Sequence, residues 1–82
     1  MRKGKKRPLD RLVALVARLR SPRGCPWDRK QTHLSLIPYL QEEARELAQA
    51  LRRGDPADIE DELGDVLLQI LLHSELARER GQ

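Results

Sequence analysis

The sequence predicts an all-α protein, and three observations carry that prediction. No segment alternates apolar and polar residues at the two-residue period of a strand. Three segments repeat apolar residues at helical spacing, each bounded by Pro, Gly, Ser or Asp at positions that start or stop helices. The 82 residues include no Phe, one Trp and one Tyr, so the core must be aliphatic. A chain of this size supports one small domain. The expected organisation is a disordered basic arm over 1–7 and a compact three-helix domain over 8–82.

The first helix is expected from about Pro8 to Arg20, because Pro suits a first helical turn. Leu9, Leu12, Val13, Val16 and Leu19 fall on its apolar face, and Ser21-Pro22-Arg23-Gly24 ends it. A loop then carries Cys25-Pro26-Trp27-Asp28, and Thr32 offers an N-cap for a short turn ahead of Pro38. Proline disfavours helical geometry in the residue before it, so the second long helix is expected from near Pro38 to Arg52. Its expected stripe is Leu40, Ala44, Leu47, Ala48 and Leu51. Arg53-Gly54-Asp55-Pro56 reads as a turn, with Asp55 capping a third helix that reaches about Arg80 before Gly81 stops it. Within it, Val66 to Leu72 is apolar around most of the circumference, which requires burial on several sides. Self-association into a dimeric or tetrameric helical bundle is the expected source of that cover.

A net charge of +3 conceals an asymmetry. Most Lys and Arg residues lie in the first thirty positions, while most acids lie between Glu42 and Asp65. Arg2-Lys3-Gly4-Lys5-Lys6-Arg7 has no apolar content and reads as a solubilising tail, which makes nucleic acid an unlikely partner. No apolar run reaches the length of a membrane span, and no signal-peptide pattern is present. A single Cys25 excludes an internal disulfide, and a cytoplasmic setting is expected.

The acids carry the chemistry. Glu43 with Glu46, and Glu62 with Asp65, are spaced i, i+3, so each pair shares a helix face. Folding the chain back at the Gly54 turn sets 43 level with 65 and 46 level with 62, since the two index sums are equal. Four converging carboxylates repel unless a cation joins them. Oxygen ligands without Cys or paired His favour Mg2+, with Mn2+ as a substitute. Magnesium is commonly shared with substrate phosphates, which points to phosphoryl or nucleotidyl chemistry. Glu42 and Glu46 lie beside the cluster as candidates to orient an attacking water. A solvated acidic helix face, with Glu42 paired to Arg45, would leave the same spacing. Two features argue against it: like charges at Glu42 and Glu46, and Gly64 in a helix interior at a cost of about 1 kcal/mol.

Arg20-Ser21-Pro22-Arg23-Gly24-Cys25-Pro26-Trp27-Asp28, Gln31-Thr32-His33, Pro38-Tyr39-Leu40, Glu42-Glu43-Ala44-Arg45-Glu46 and Glu62-Leu63-Gly64-Asp65 together resemble the MazG-type nucleoside triphosphate pyrophosphohydrolases. The likeness runs from about Leu9 to Glu79. It implies an all-α oligomer that uses Mg2+ to hydrolyse nucleoside or deoxynucleoside triphosphates to monophosphate and pyrophosphate, with a role in nucleotide-pool cleaning. It implies Glu43, Glu46, Glu62 and Asp65 as metal ligands. Glu42, Glu43 and Glu46 would be the catalytic carboxylates. The family usually continues into a further helical segment with basic residues. Here the chain stops at Gln82, so the expectation is a domain lacking that extension: a compact variant that borrows groups from a partner subunit, one with an altered substrate range, or a degenerate binder with weak catalysis.

Other positions weigh less. Trp27 could stack on a base or plug the core, with the plug slightly favoured, and Arg23, Arg29 and Lys30 could grip phosphates or stay solvated. His33 is read as a loop histidine and His73 as lying at a wet edge or a subunit contact. The alternative to the enzyme is a non-catalytic helical module that binds metal, nucleotide or another protein.

Overall fold

The computed structural model describes residues 7–81, and over them the chain is helical with no strand. The expected arm over 1–7 lies, apart from Arg7, outside the described residues. Two compact units divide at Gln31 and Thr32, and each is described by itself.

The first unit holds α1 (Pro8–Leu19) and a one-turn α2 (Pro26–Lys30). Pro8 opens α1, and the Asp10 carboxylate accepts from the Arg7 amide at 3.3 Å, satisfying an otherwise orphan donor. Val16 is buried, whereas Leu9 and Val13 of the expected apolar face are exposed. The chain reverses tightly after α1. Cys25 donates its amide to the Leu19 carbonyl at 2.8 Å, and Gly24 to Ser21 at 2.9 Å. Gly24 is required there: a Cβ would sit 2.1 Å from the Arg18 carbonyl oxygen and 2.4 Å from that of Leu19. The loop expected around Trp27 is helical, because Pro26 at the first position pre-sets φ. Arg20 reaches across to donate to the Asp28 carbonyl and, at 3.1 Å, to that of Gln31. A guanidinium thereby caps the negative end of α2.

The second unit is a hairpin of two long helices, α3 (His33–Arg53) and α4 (Pro56–Glu79), packed on each other. The start of α3 corrects the expectation of a beginning near Pro38. Thr32 Oγ1 accepts from the Ser35 amide at 3.0 Å, and Ser35 Oγ accepts from the Thr32 amide at 2.8 Å. This reciprocal cap starts the helix five residues before the proline, which sits inside α3. Interior proline costs about 3 kcal/mol. The cap contributes about 1 kcal/mol, and complete burial of Leu36 about 2 kcal/mol. Together they offset the lost bond.

At the turn, Gly54 adopts φ 75°, a left-handed cap, and its amide bonds the Ala50 carbonyl at 3.0 Å. Asp55 Oδ1 accepts from the Ala57 amide at 3.0 Å and starts α4 as expected. Along α3 the inward positions are Leu36, Leu40, Glu43, Leu47 and Ala50; along α4 they are Ile59, Glu62, Val66, Gln69, His73 and Leu76. Both run in alternating steps of three and four, a seam of coiled-coil type. The buried stripe of α3 is thus turned from the expected one: Ala44 and Leu51 are exposed, while Leu36 and Ala50 are fully buried. On α4, Leu72 and Leu76 are buried, but Leu63, Leu67, Leu68 and Ile70 are exposed, so the described residues leave part of the apolar stretch uncovered.

Candidate metal centre

Glu43 and Glu62 occupy seam positions that packing alone would give to Leu or Val. Because the seam puts them there, each is half-buried against the facing helix. One carboxylate oxygen each of Glu43, Glu62 and Asp65 lies within 4.8 Å of the other two. One of the five seam residues nearest the turn on each helix is therefore an acid, which an aliphatic hairpin would not tolerate without compensation.

The electrostatics agree. Burial raises the Glu43 carboxyl above the ordinary carboxylate range, and the charges of Asp65, Glu46 and Glu42 push it further. Burial likewise raises Glu62, assisted by Glu46, Asp65 and Glu43. Oε2 of Glu43 and Oε2 of Glu62 are buried and accept no hydrogen bond. Orphaned buried carboxylate oxygens are costly. A hard divalent cation suits this donor set, since it takes oxygen ligands and cancels their repulsion. Two ligands of one Mg2+ lie at most about 4.2 Å apart, so small side-chain rotations close the set on an ion.

The remaining expected residues fall in different places. Glu46 is half-buried and acts on both Glu43 and Glu62, but it lies outside the mutually close set of three. Glu42 turns outward and takes a two-point ion pair from Arg45, with Nε donating at 3.1 Å. That hydrogen bond holds its carboxyl below the ordinary range. Beyond its chain neighbours and the nearby backbone of α4, no described atom lies within 4 Å of the position a Gly64 Cβ would take, so this glycine marks no close approach. Trp27, Arg23, Arg29 and Lys30 belong to the first unit, all exposed; Trp27, at 46% exposure, does not plug a core as expected.

One pair escaped the sequence reading. His33 is the first residue of α3, not a loop residue, and its Nδ1 lies 2.7 Å from Nδ1 of His73 on α4. The signal was available, because the index sum of 33 and 73 nearly equals that of the acid pairs.

Comparison with known proteins gives a consistent picture. Residues 31–82 match the family model described as the MazG nucleotide pyrophosphohydrolase domain. A protein of Thermotoga maritima named nucleoside triphosphate pyrophosphohydrolase/pyrophosphatase MazG is 54% identical over 72 residues, covering 88% of this chain and 28% of that protein. A nucleoside triphosphate pyrophosphohydrolase of Escherichia coli K12 is 43% identical over 75 residues, covering 90% of this chain and 28% of its own length. One from Mycolicibacterium smegmatis is 47% identical over 73 residues, covering 88% and 22%. The chain thus spans about a quarter of the length of these relatives.

Proposed function

The chain belongs to the family of MazG nucleotide pyrophosphohydrolase domains, and from that premise we propose that it hydrolyses nucleoside triphosphates to monophosphate and pyrophosphate with Mg2+ as cofactor and Mn2+ as a substitute. The observation that carries the reading is the close set of Glu43, Glu62 and Asp65 with two buried, unpartnered carboxylate oxygens. The names of the relatives point to the same substrates.

In this reading Glu43, Glu62 and Asp65 hold the ion, with Glu46 completing the set. The bound ion supplies Lewis-acid neutralisation of the phosphate charge. The protein's own work is positional. Helices α3 and α4 fix the carboxylates around the triphosphate. Glu46, beside the close set, accepts the proton of the attacking water. The water oxygen forms a bond to the α-phosphorus as the α–β bridging bond breaks, and pyrophosphate leaves. Glu42, already neutralised by Arg45, has a supporting role. Arg23, Arg29, Lys30 and Trp27 are proposed as nucleotide-affinity residues. A homo-oligomer is supported by the exposed Leu63, Leu67 and Ile70 of α4. No helix among the described residues is long and apolar enough to cross a membrane, and nucleotide-pool cleaning in the cytoplasm is the proposed setting.

The test is a panel of ribo- and deoxyribonucleoside triphosphates with Mg2+ or Mn2+, read by phosphate release in the presence of inorganic pyrophosphatase. Release that needs the pyrophosphatase and the divalent ion supports the reading. Silence across the panel with both ions would overturn it.

A further inference from the structure

We infer that His33 and His73 form a single-proton clasp that holds the first turns of α3 on α4 near neutral pH and releases them in acid. The geometry is specific. The ring centroids are 5.0 Å apart, the Nδ1 atoms 2.7 Å apart, and the planes within 7°. The two distances differ by about two imidazole radii. The rings therefore lie edge to edge in nearly one plane with their Nδ1 atoms aimed at each other, which is the arrangement of a straight N–H···N hydrogen bond rather than a face-to-face stack.

Such a bond holds one proton. Two neutral imidazoles carry one N–H each, so one donates across the gap and the other keeps its proton on Nε2. Nε2 of His73 is buried and has no partner. A buried N–H without an acceptor costs more than a bare nitrogen lone pair. His73 is thus the donor through Nδ1, and His33 accepts at Nδ1 and carries its hydrogen on Nε2.

An additional proton has no comfortable place. With the bond intact, the open position is the buried Nε2 of His73. Protonating His33 instead sets two N–H groups against each other across 2.7 Å. His33 also stands at the first position of α3, where the helix dipole opposes a cation. Burial, and then the charge of His33, hold His73 below the ordinary histidine range.

The other ionisable groups near this end of the hairpin are Tyr39 on α3, and Glu75, Arg78, Glu79 and Arg80 on α4. Glu75 is paired with Arg78 at 2.8 Å, and none of these groups contributes to the shift of His73. The clasp lies about 12 Å along α4 from Asp65, so the carboxylate cluster is separate from it. The sign follows from linkage. Folded His73 binds fewer protons than a free histidine, so its contribution is complete above the ordinary value and is lost as pH falls through the lowered one.

Nitrogen-15 NMR of the uniformly labelled full chain tests this directly. Near pH 7.5, His73 should show a protonated Nδ1 and a bare Nε2, and His33 the reverse. On acidification His73 should keep that pattern until the pH is below the ordinary histidine range, and the N–H···N bond should be lost when it goes. The Leu36 amide, bonded to the Thr32 carbonyl at 3.1 Å, should lose at least about tenfold of its exchange protection over the same step, after correction for intrinsic exchange. In His33→Asn, His73 should titrate nearer the ordinary value and the Leu36 step should vanish. If that variant does not fold, the wild-type tautomer pattern decides alone. Two Nε2–H histidines near pH 7.5, or an acid step at His73 that leaves Leu36 protection unchanged, would overturn the clasp.

Discussion

Glu43 and Glu62 show at the scale of single residues what the hairpin gives up for its chemistry. Each takes a seam position, each has a raised carboxyl, and each leaves Oε2 buried without a donor. Glu43→Gln should lower kcat/KM for triphosphate hydrolysis by more than about a hundredfold, beyond the range for residues that only support a metal ligand. Glu42→Gln should lose far less, since that side chain is held outside by Arg45. Steady-state kinetics with saturating Mg2+ separates the two. The acid pairs were legible because a turn at Gly54 fixes which indices meet. For Glu42 the sequence offers both the cluster and a pair with Arg45, and the i, i+3 arginine takes the carboxylate. His33 reads as part of a loop or short turn if α3 starts near Pro38; the reciprocal cap at Thr32 and Ser35 carries the helix back to it.

At the scale of the element, α3 is a contest between a cap and a proline. Thr32→Ala removes the side-chain acceptor for the Ser35 amide and should cost about 1 kcal/mol, read as a lower urea midpoint with unchanged slope. The ends of α1 and α4 fall within a residue of expectation because Pro8, Pro56 and Gly81 act locally. The start of α3 and the short α2 fall elsewhere. In α3 a reciprocal cap and the burial of Leu36 outweigh the proline penalty, and no local propensity rule weighs those terms together.

At the scale of the whole molecule, Glu43 and Glu62 set a pH response of opposite sign to that of His73. Raised carboxyls mean that the folded protein binds more protons than the unfolded chain, so their contribution is present at low pH and lost as pH rises through the raised values. Metal-free protein should therefore lose thermal stability as pH climbs out of the carboxylate range. Added Mg2+ should raise Tm at neutral pH and do little near pH 4, where protons occupy the same oxygens; differential scanning calorimetry checks both. The exposed apolar row on α4 yields a further prediction: Leu67→Lys with Ile70→Lys should shift an oligomer to monomer in analytical ultracentrifugation. The all-α class was legible from periodicity alone, whereas the turned stripe of α3 was not. Ala44, Ala48 and Leu51 offered an equally apolar face, and only the packing of α3 on α4 selects between the two.

The acidic centre is drawn from two helices adjacent in the chain and joined by Gly54 and Asp55. Contacts so close in sequence lose little loop entropy on closing, and topologies rich in them form fast. During synthesis, the nascent chain can bring its carboxylates together soon after α4 leaves the ribosome.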